Sequence, residues 1–419
     1  MTHAERTLDT LLARASSLSD AAALPEALAC HDEMIALFPN EAVGYAGRAV
    51  MLSRMGRFAD AVRAYRQALA RAPGDPSLLA SLGAALNWAG DPAGALTAFD
   101  RALARDPDSF VAQFNKAAML LLHGQLRDGF PLYECRWAHE TLAPRLARLP
   151  ASPRWLGETG LAGKRLLVYW EQGLGDTIQF CRYAALAAAE GAEVAIAVQR
   201  PLVTLMRSLP GVRVLDAGEP APSFDLHCPL LSLPIGFGTT METIPAAVPY
   251  LAADPARVAV WRDRLASLPR PRIGLVWAGG AWRGDATLAA MDRSRSIPLA
   301  DLAPLAGPCF VSLQVGRGAD PPPPGMVLHD WTGSIEDFAD TAALIENLDL
   351  TIGVDTAVVH LAGAMGKPVW LLNRFDTDWR WFLDRDDSPW YPSLRQFRQT
   401  VPGEWGPAIA RVAEALREI

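Results

Sequence analysis

Cysteine is scarce in this sequence. The 419 residues include five cysteines, and none of them stands in a CxxC pair or at the spacing of a Cys/His metal site. An odd number of widely separated cysteines excludes a disulfide framework and a cysteine-based metal site as organising features. We expect reduced, buried, structural thiols at Cys30, Cys135, Cys181, Cys228 and Cys309.

Long apolar runs are also missing. No stretch reaches the roughly 18 uninterrupted apolar residues that a membrane span requires. The first residues, MTHAERTLDTLL, carry charges where a secretory signal would have an apolar core. The sequence therefore predicts no membrane span and a cytoplasmic location.

Positive charge is not in excess. Lys and Arg number 39 against 46 Asp and Glu, a formal charge of −7 that disfavours nucleic acid or an anionic membrane as a partner. The net charge does not exclude a local basic pocket that binds a small anionic ligand. The composition, 50% hydrophobic and 20% charged, is that of a globular protein. At roughly 150 residues per domain the length allows two or three domains, and three is our working number.

A repeat of 34 residues is present near the start of the chain. Small, aromatic, glycine and proline positions recur in one phase, as expected where paired helices touch, turn and end. They are Ala27, Ala61 and Ala95; His31, Tyr65 and Phe99; Gly56, Gly90 and Gly124; and Pro39, Pro73 and Pro107. Residues 8–140 resemble a tetratricopeptide-repeat domain, with a weaker last unit in which Gly129 and Arg136 replace the recurrent small residues.

Arrays of helical hairpins bury their inner faces between neighbouring repeats and leave a concave surface that typically holds a peptide. We therefore expect the array to bind a protein or peptide partner. The alternative is an array that only stabilises the molecule or forms a homo-oligomer. No residue within it has a catalytic pattern.

A stretch rich in Pro and Gly, residues 141–163, breaks the repeat phase and is predicted to be a linker. The apolar run RLLVYW, a glycine loop, a helical pattern and the run EVAIAV then follow, which is the order of a βαβ unit with a parallel sheet. A second set of strand-like runs comprises RIGLVWAG, CFVSLQ, DLTIGVD and KPVWLL. We expect two Rossmann-like domains at 164–250 and 271–402, an interdomain linker at 251–270 and a C-terminal helix at 403–419.

Ligands of open parallel sheets bind at the carboxyl ends of the strands. The loops to consider therefore follow Trp170, Trp277, Gln314, Asp355 and Leu372. The first loop contains Gly173 and Gly175 but is not a dinucleotide fingerprint, because Ile178 stands where the third glycine would be. Asp176 is either an ordinary helix cap, which the spacing alone favours, or a carboxylate directed at a ligand.

A second candidate site starts at Asp355, where a buried strand ends. Thr356 and Ala357 begin a helix whose free N–H groups and dipole favour an anion such as a diphosphate. His360 lies one turn further on the same helix face as Thr356. The alternative is a capped helix with His360 satisfied in the core, and the residues alone do not decide between the two.

Three weaker signals complete the set. Asp376 and Asp378 form a DxD pair that could bind a divalent metal, but salt bridges are the commoner use of such a loop, and we predict no metal. Arg293 and Arg295 suit bidentate phosphate contacts or a solvated loop. Late tryptophans indicate a packed core, although an exposed one could stack on a base or sugar; they are Trp370, Trp379, Trp381, Trp390 and Trp405.

The ordered set EQGLGDTIQFCRY, GLVWAGG, FVSLQ, VDTAVVHLAGAMGKPVWLL and DWRWFLDRDDSPWYP resembles bacterial repeat-plus-glycosyltransferase proteins. The catalytic part of these proteins is related to the heptosyltransferases of glycosyltransferase family 9, and more distantly to repeat-fused O-linked N-acetylglucosamine transferases. The resemblance covers almost the whole chain. It implies a GT-B pair of Rossmann-like domains with the acceptor side first and the sugar-nucleotide side second. It also implies inverting transfer from a nucleotide-diphosphate sugar without metal or cofactor.

By position, the resemblance makes Asp176 the base. It assigns the donor diphosphate to Asp355, Thr356, Ala357 and His360. The range 277–279, which includes Trp277 and Gly279, corresponds to the end of the first strand of the donor domain. Ser312 and Gln314 correspond to the segment beside the nucleotide. The stretch 280–292 departs from the family pattern because it is longer and less polar. The phosphate role of Arg293 and Arg295 is therefore left open.

Two hypotheses of different classes follow. The first is a glycosyltransferase whose repeat array captures a protein acceptor. The second is a repeat-based adaptor whose α/β part binds a nucleotide without turnover or is vestigial. The intact glycine loop, Asp176 and the pattern from Asp355 to His360 favour the first, because a degenerate module would be free to lose them.

Overall fold

The computed structural model describes residues 3–21, 23–138, 152–280, 292–316 and 321–419. The chain divides into two compact units, Met1–Leu146 and Ala147–Ile419. The first unit is helical, and the second contains two parallel sheets. The predicted order, a helical repeat array followed by an α/β region, is confirmed.

Eight helices make up the described part of the first unit. They are α1 (His3–Asp20), α2 (Leu24–Leu37), α3 (Ala42–Arg54), α4 (Phe58–Arg71), α5 (Pro76–Trp88), α6 (Pro92–Arg105), α7 (Phe110–Leu122) and α8 (Leu126–Tyr133). A 3-10 turn, Glu134–Ala138, follows them. Residues 139 and 140 of the predicted repeat domain lie outside the described residues.

The structure explains why alanine and glycine recur every 34 residues. The three recurrent alanines are fully buried, which lets the paired helices approach closely. Gly56, Gly90 and Gly124 adopt φ values of 72°, 84° and 75°, a left-handed conformation that favours glycine at the turn between helices. Each turn therefore depends on its glycine for backbone reasons, whereas each alanine is needed for packing.

The aromatic position of the repeat is buried in each unit, but one occupant is polar. The His31 ring lies against Gly47, where a Cβ would approach to 2.0 Å, as the Phe99 ring lies against Gly83. The His31 Nδ1 atom is buried and has no hydrogen-bond partner among the described residues. Burial lowers the pKa of His31, and the nearby Asp32 charge acts in the opposite direction.

The second unit contains two fully parallel sheets. The first has the strand order β3-β2-β1-β4, and the second has the order β10-β9-β8-β5-β6-β7. The strands are β1 (Arg165–Tyr169), β2 (Glu193–Val198), β3 (Val212–Asp216), β4 (Leu226–Pro229), β5 (Arg272–Val276), β6 (Cys309–Ser312), β7 (Val327–His329), β8 (Leu350–Val354), β9 (Val369–Asn373) and β10 (Leu394–Arg398).

Five longer helices accompany these sheets. They are α9 (Leu174–Ala189), α10 (Pro255–Leu265), α11 (Phe338–Glu346), α12 (Ala357–Ala364) and α13 (Gly406–Leu416). Within the described residues, the connections include the short helices Val203–Met206, Leu233–Gly236 and 292–295, together with short 3-10 turns. The helix α13 packs with strands β5, β8 and β9 in the core of the second sheet. We call residues 152–250 the first half of this unit and residues 271–419 the second half.

Part of the predicted linker 141–163 pairs with the edge of the first sheet through an isolated β-bridge between Arg154 and His227. The Trp155 N–H donates to the carbonyl of His227 at 2.8 Å, and the His227 N–H donates to Pro153 at 3.2 Å, so this segment covers the edge of β4. Likewise, the predicted interdomain linker 251–270 contains α10. Both connections are therefore structured where they are described.

The five cysteines all lie in the described part of the chain, and none of them forms a disulfide. Four are buried as expected, whereas Cys135 is only partly buried. Among the described residues, no helix combines the length and the apolar character needed to cross a bilayer.

Candidate active site

The two predicted loops meet inside the second unit. Helix α9 begins at Leu174 after β1, and helix α12 begins at Ala357 after β8, each at the carboxyl end of a central strand. A Cβ at Gly175 would lie 2.9 Å from Cδ2 of His360 and 3.5 Å from Cα of Ala357. The glycine loop of the first half therefore packs directly on the helix start of the second half.

Asp176 occupies the third position of α9, not the N-cap that its spacing first favoured. The N-cap is Gly173, whose N–H donates to Oδ2 of Asp176 at 2.7 Å. Oδ1 accepts a hydrogen bond from Nη2 of Arg380 at 2.5 Å. The carboxylate thus closes the first turn of its helix and also forms an ion pair with the other half, while its side chain stays 18% exposed.

Arg380 is one of two site residues that the sequence did not identify. It lies in a 3-10 turn, Trp379–Trp381, and its guanidinium donates to Asp176 and, at 2.8 Å, to Oδ1 of Asp378. The guanidinium carbon lies 4.2 Å from the centre of the Trp379 ring, within the range of cation–π attraction. The only signal in the sequence was the density of Asp, Arg and Trp in this stretch, which indicated salt bridges without naming the partners.

The DxD pair is engaged by arginines. Asp378 accepts hydrogen bonds from the backbone and side chain of Arg380, and Asp376 lies 3.7 Å from Nε of Arg374. Among the described residues, no group of three or more His, Cys, Asp or Glu side chains is placed to hold a metal ion. The salt-bridge interpretation therefore accounts for both carboxylates.

The surroundings of His360 match parts of both interpretations of this residue, a satisfied core side chain and a side chain at the anion site. It is buried, its Nδ1 lies 2.9 Å from the Tyr391 hydroxyl, and its ring stacks on Trp381 with 5.0 Å between ring centres. Its Nε2 lies 3.7 Å from Oδ1 of Asp355. The ring is satisfied in the core on one side and contacts the candidate anion site on the other.

Two further arginines lie close to Asp355. Arg295 donates from Nη1 to the Asp355 carbonyl at 3.0 Å, and Arg374 donates from Nη1 to the Ser294 hydroxyl at 2.7 Å. Burial acts to raise the pKa of Asp355, but the hydrogen bond and charge of His360 and the charges of both arginines lower it to about 2. The nearby cationic groups therefore keep Asp355 ionised despite its burial, and Arg374 is a second residue that the sequence did not identify.

Thr356 is the N-cap of α12. Its backbone is extended, its side chain makes no capping hydrogen bond, and its buried Oγ1 has no partner among the described residues. The first N–H groups of a helix have no partners within the helix. Thr356 and Ala357 therefore offer hydroxyl and N–H donors close to Arg295 and Arg374, as an anion site requires.

The arginines of the 293–295 segment differ from each other. Arg293 is exposed, whereas Arg295 is held between Asp292, at 3.2 Å, and the Asp355 carbonyl. A Cβ at Gly279 would lie 1.8 Å from Oδ1 of Asp292, so this close approach requires glycine. Most of the divergent stretch 280–292 lies outside the described residues.

Trp277, Ser312 and Gln314 are buried and shape the loop beside the site. Oε1 of Gln314 accepts hydrogen bonds from the N–H of Trp277 at 3.1 Å and of Ala278 at 2.8 Å. The Ser312 hydroxyl accepts one from the Gln314 N–H at 3.3 Å. These atoms fix the ends of β5 and β6, and their contact with a nucleotide stays a prediction.

A buried arginine joins the two halves behind the site. Arg182 on α9 donates to the carbonyls of Pro245 at 2.8 Å and Trp390 at 2.9 Å, and to the Tyr250 hydroxyl at 2.7 Å. Burial raises the pKa of Tyr250 to about 12, so its hydroxyl stays neutral beside this cation. Of the late tryptophans, Trp370 is partly buried and the other four are buried.

Comparison with known proteins supports the assignment of the first unit. Residues 47–110 and 89–134 match the family described as Tetratricopeptide repeat. Protein FlbA of Caulobacter vibrioides is 32% identical over 349 residues, which cover 74% of this chain and 56% of FlbA. The chain therefore spans just over half the length of this relative.

Solved structures similar to the chain include glycosyltransferases. The glycosyl transferase family 9 protein of Veillonella parvula is 10% identical with a TM-score of 0.39, and the match covers 62% of this chain and 91% of that one. An O-GlcNAc transferase mutant of Thermobaculum terrenum is 13% identical with a TM-score of 0.35, and the match covers 100% of this chain and 94% of that one.

Proposed function

We propose that the protein is a glycosyltransferase of GT-B architecture. It moves a sugar from a nucleotide-diphosphate sugar to an acceptor hydroxyl, with inversion and without a metal ion. The observation that carries the proposal is the meeting of Asp176 and Gly175 with the start of α12 beside three cationic side chains, Arg295, Arg374 and Arg380. The motif resemblance to the heptosyltransferases agrees with the same residues.

The donor diphosphate is assigned to the start of α12. Its hydrogen-bond donors are the Thr356 hydroxyl and the free N–H groups of the first turn. Arg295 and Arg374 supply positive charge for the departing diphosphate, which is the main electrostatic demand of the reaction. In this assignment arginines do the work that a divalent cation would do in a metal-dependent transferase.

We assign Asp176 the role of the base that takes the proton from the acceptor hydroxyl. Each of its oxygens accepts one hydrogen bond and keeps a second lone pair, and the side chain remains partly exposed. The carboxylate already forms an ion pair with Arg380. We therefore assign it a late proton transfer, after the bond from the sugar to the diphosphate has largely broken.

We assign the repeat array the role of binding the acceptor. A protein or peptide bound by the array would carry the acceptor group, as helical-repeat arrays commonly bind extended peptides. The acceptor is then a side-chain hydroxyl of that protein. A homo-oligomer formed through the array would be a separate function of the same surface.

The test is a panel of sugar nucleotides that includes UDP-N-acetylglucosamine, GDP-mannose and ADP-glucose. Wild-type protein should bind at least one of them, raise its melting temperature and release the nucleoside diphosphate. Asp176→Asn keeps the hydrogen bond from Gly173 through its one amide oxygen, loses the hydrogen bond from Arg380 and cannot take a proton. Its kcat should therefore fall about 10²–10⁴-fold with donor binding unchanged.

The adaptor hypothesis gives a different result in the same assay. A nucleotide-binding adaptor would show the thermal shift without release of the diphosphate, and Asp176→Asn would then change nothing. A variant that keeps more than about a third of wild-type kcat would refute the catalytic role of Asp176, because loss of proton transfer costs far more.

A further inference from the structure

The turn that carries Arg380 is followed by strained backbone. Phe382 and Asp384 have φ values of 53° and 54°, which non-glycine residues rarely adopt, and Phe382 is a bulky one. Two side chains of β10 hold the turn in place. Nε2 of Gln396 donates to the Trp381 carbonyl at 2.9 Å, and Nη2 of Arg398 donates to the Phe382 carbonyl. Strain held by surrounding contacts is typical of segments that place functional groups.

Two neighbouring side chains of this turn contact the candidate site. Trp381 stacks on the His360 ring, and Arg380 reaches the Asp176 carboxylate in the first half. Arg380 itself is held by Asp378 and by the Trp379 ring, and only 7% of its side chain is exposed. A guanidinium fixed in this way sets the direction of the carboxylate that it binds.

We propose that Arg380 is a positioning residue of the transfer reaction. It fixes Oδ1 of Asp176 while the Gly173 N–H fixes Oδ2, so that the carboxylate is held at two points and its remaining lone pairs keep one orientation toward the acceptor. In this role Arg380 acts through Asp176, whereas Arg295 and Arg374 are the arginines assigned to the diphosphate. The inference rests on the proposed function and adds to it the residue that orients the base.

The alternative is a structural tie between the two halves. Loss of a structural tie should lower the melting temperature and weaken donor binding together with kcat, whereas loss of a positioning residue should lower kcat alone. In a double-mutant cycle, a residue that acts through Asp176 also has nothing left to orient once Asp176 cannot take a proton. The cycle therefore uses Arg380→Met, Asp176→Asn and the double variant. The measured quantity is the release of nucleoside diphosphate from the sugar nucleotide that the wild-type protein turns over fastest.

Arg380→Met should lower kcat about 10–100-fold, the usual cost of a misplaced catalytic group, with donor KM within about threefold of wild type. The double variant should be no more than about threefold slower than Asp176→Asn alone. Arg385→Met is the matched control. Arg385 lies on the same loop and pairs with the exposed Asp387 at 2.6 Å, so its loss should leave kcat unchanged.

Arg380→Lys supplies a second cycle that remains informative where methionine unfolds the turn, because lysine keeps the charge but not the two-pronged donor. Effects that multiply in both cycles would overturn the positioning role, as would wild-type kcat in Arg380→Met. Failure of the proposed function looks different: wild-type protein then releases no diphosphate from any sugar nucleotide. If the wild-type protein is active and the double variants are no slower than Asp176→Asn alone, the results support both the proposed function and the positioning role of Arg380.

Discussion

Gly175 and His360 are in contact across the two halves of the α/β unit. The space where a glycine Cβ would be is filled by Cδ2 of His360, at 2.9 Å. The His360 ring cannot easily move away, because Trp381 stacks on it and the Tyr391 hydroxyl binds its Nδ1. The closeness of the glycine loop to the α12 start therefore depends on a missing methyl group.

We predict that Gly175→Ala will reduce turnover more than stability. The added methyl must push α9 and α12 apart by a few tenths of an ångström, at a cost of about 1–3 kcal/mol. Alanine also gains about 1 kcal/mol over glycine within a helix, which offsets part of that cost. The melting temperature should fall only slightly while kcat falls roughly tenfold or more.

The control for this variant is Gly160→Ala, because a Cβ at Gly160 would meet nothing within 4 Å. It should match wild type in both melting temperature and release of nucleoside diphosphate. If Gly175→Ala is as active as this control, the close contact does not matter for the reaction.

Thr356→Ala should weaken nucleoside-diphosphate binding. Loss of one hydrogen bond to a charged group costs roughly 1–3 kcal/mol, and the Thr356 hydroxyl has no capping hydrogen bond that would be lost as well. Calorimetry with UDP, GDP and ADP measures the effect, and Thr356→Ser should bind like wild type. Equal affinity in the alanine and serine variants would contradict the diphosphate assignment.

Chelation should leave the protein functional. Asp376 and Asp378 are already engaged by Arg374 and Arg380, so neither carboxylate depends on a cation for charge compensation. Donor binding and turnover measured after dialysis against EDTA should equal those of untreated protein. Activity that disappears with EDTA and returns with Mn²⁺ would reverse this interpretation of the DxD pair.

His31→Phe should remove part of the pH dependence of stability in the repeat array. Because the folded pKa of His31 is lowered, the unfolded chain takes up its proton first as pH falls below about 6.5, and wild-type stability decreases there. Phenylalanine removes this proton uptake and the unpartnered Nδ1. The difference in free energy of unfolding between variant and wild type should grow from pH 7.5 to pH 5.

Urea unfolding at each pH provides this measurement. Tyr65→Phe, at the same position of the next repeat, is the control, since burial raises the pKa of Tyr65 and its hydroxyl does not titrate in this range. A pH-independent difference between His31→Phe and wild type would show that His31 ionises alike in both states.

The sequence revealed the central strands and not the edges. The six apolar runs identified in the sequence became the six central strands, which have neighbours on both sides and read as continuous apolar stretches. The four strands that it did not reveal, β3, β4, β7 and β10, are the edges of the two sheets. Edge strands are short or carry polar residues such as Arg213 and His329, which breaks the apolar signal.

The residues of the candidate site that a local sequence pattern marks could be predicted, whereas the contacts that depend on tertiary packing could not. Asp176 and Thr356 could be placed because a strand end and a helix start are local in sequence. The contact between Asp176 and Arg380 spans 204 positions and depends on how the two halves pack, which no local pattern records. Arg374 lies in a loop that was identified, but nothing in the loop distinguishes it from a solvated arginine.

Arg182 has a consequence for recombination between relatives. Its guanidinium is bound entirely by neutral oxygens among the described contacts, and those oxygens come from α9 itself and from both halves of the α/β unit. A chimera that took the first half from one parent and the second from another would have to reproduce the Trp390 carbonyl position, or leave a buried charge under-solvated. A crossover placed between the two sheets should therefore yield far less folded protein than one placed before residue 152.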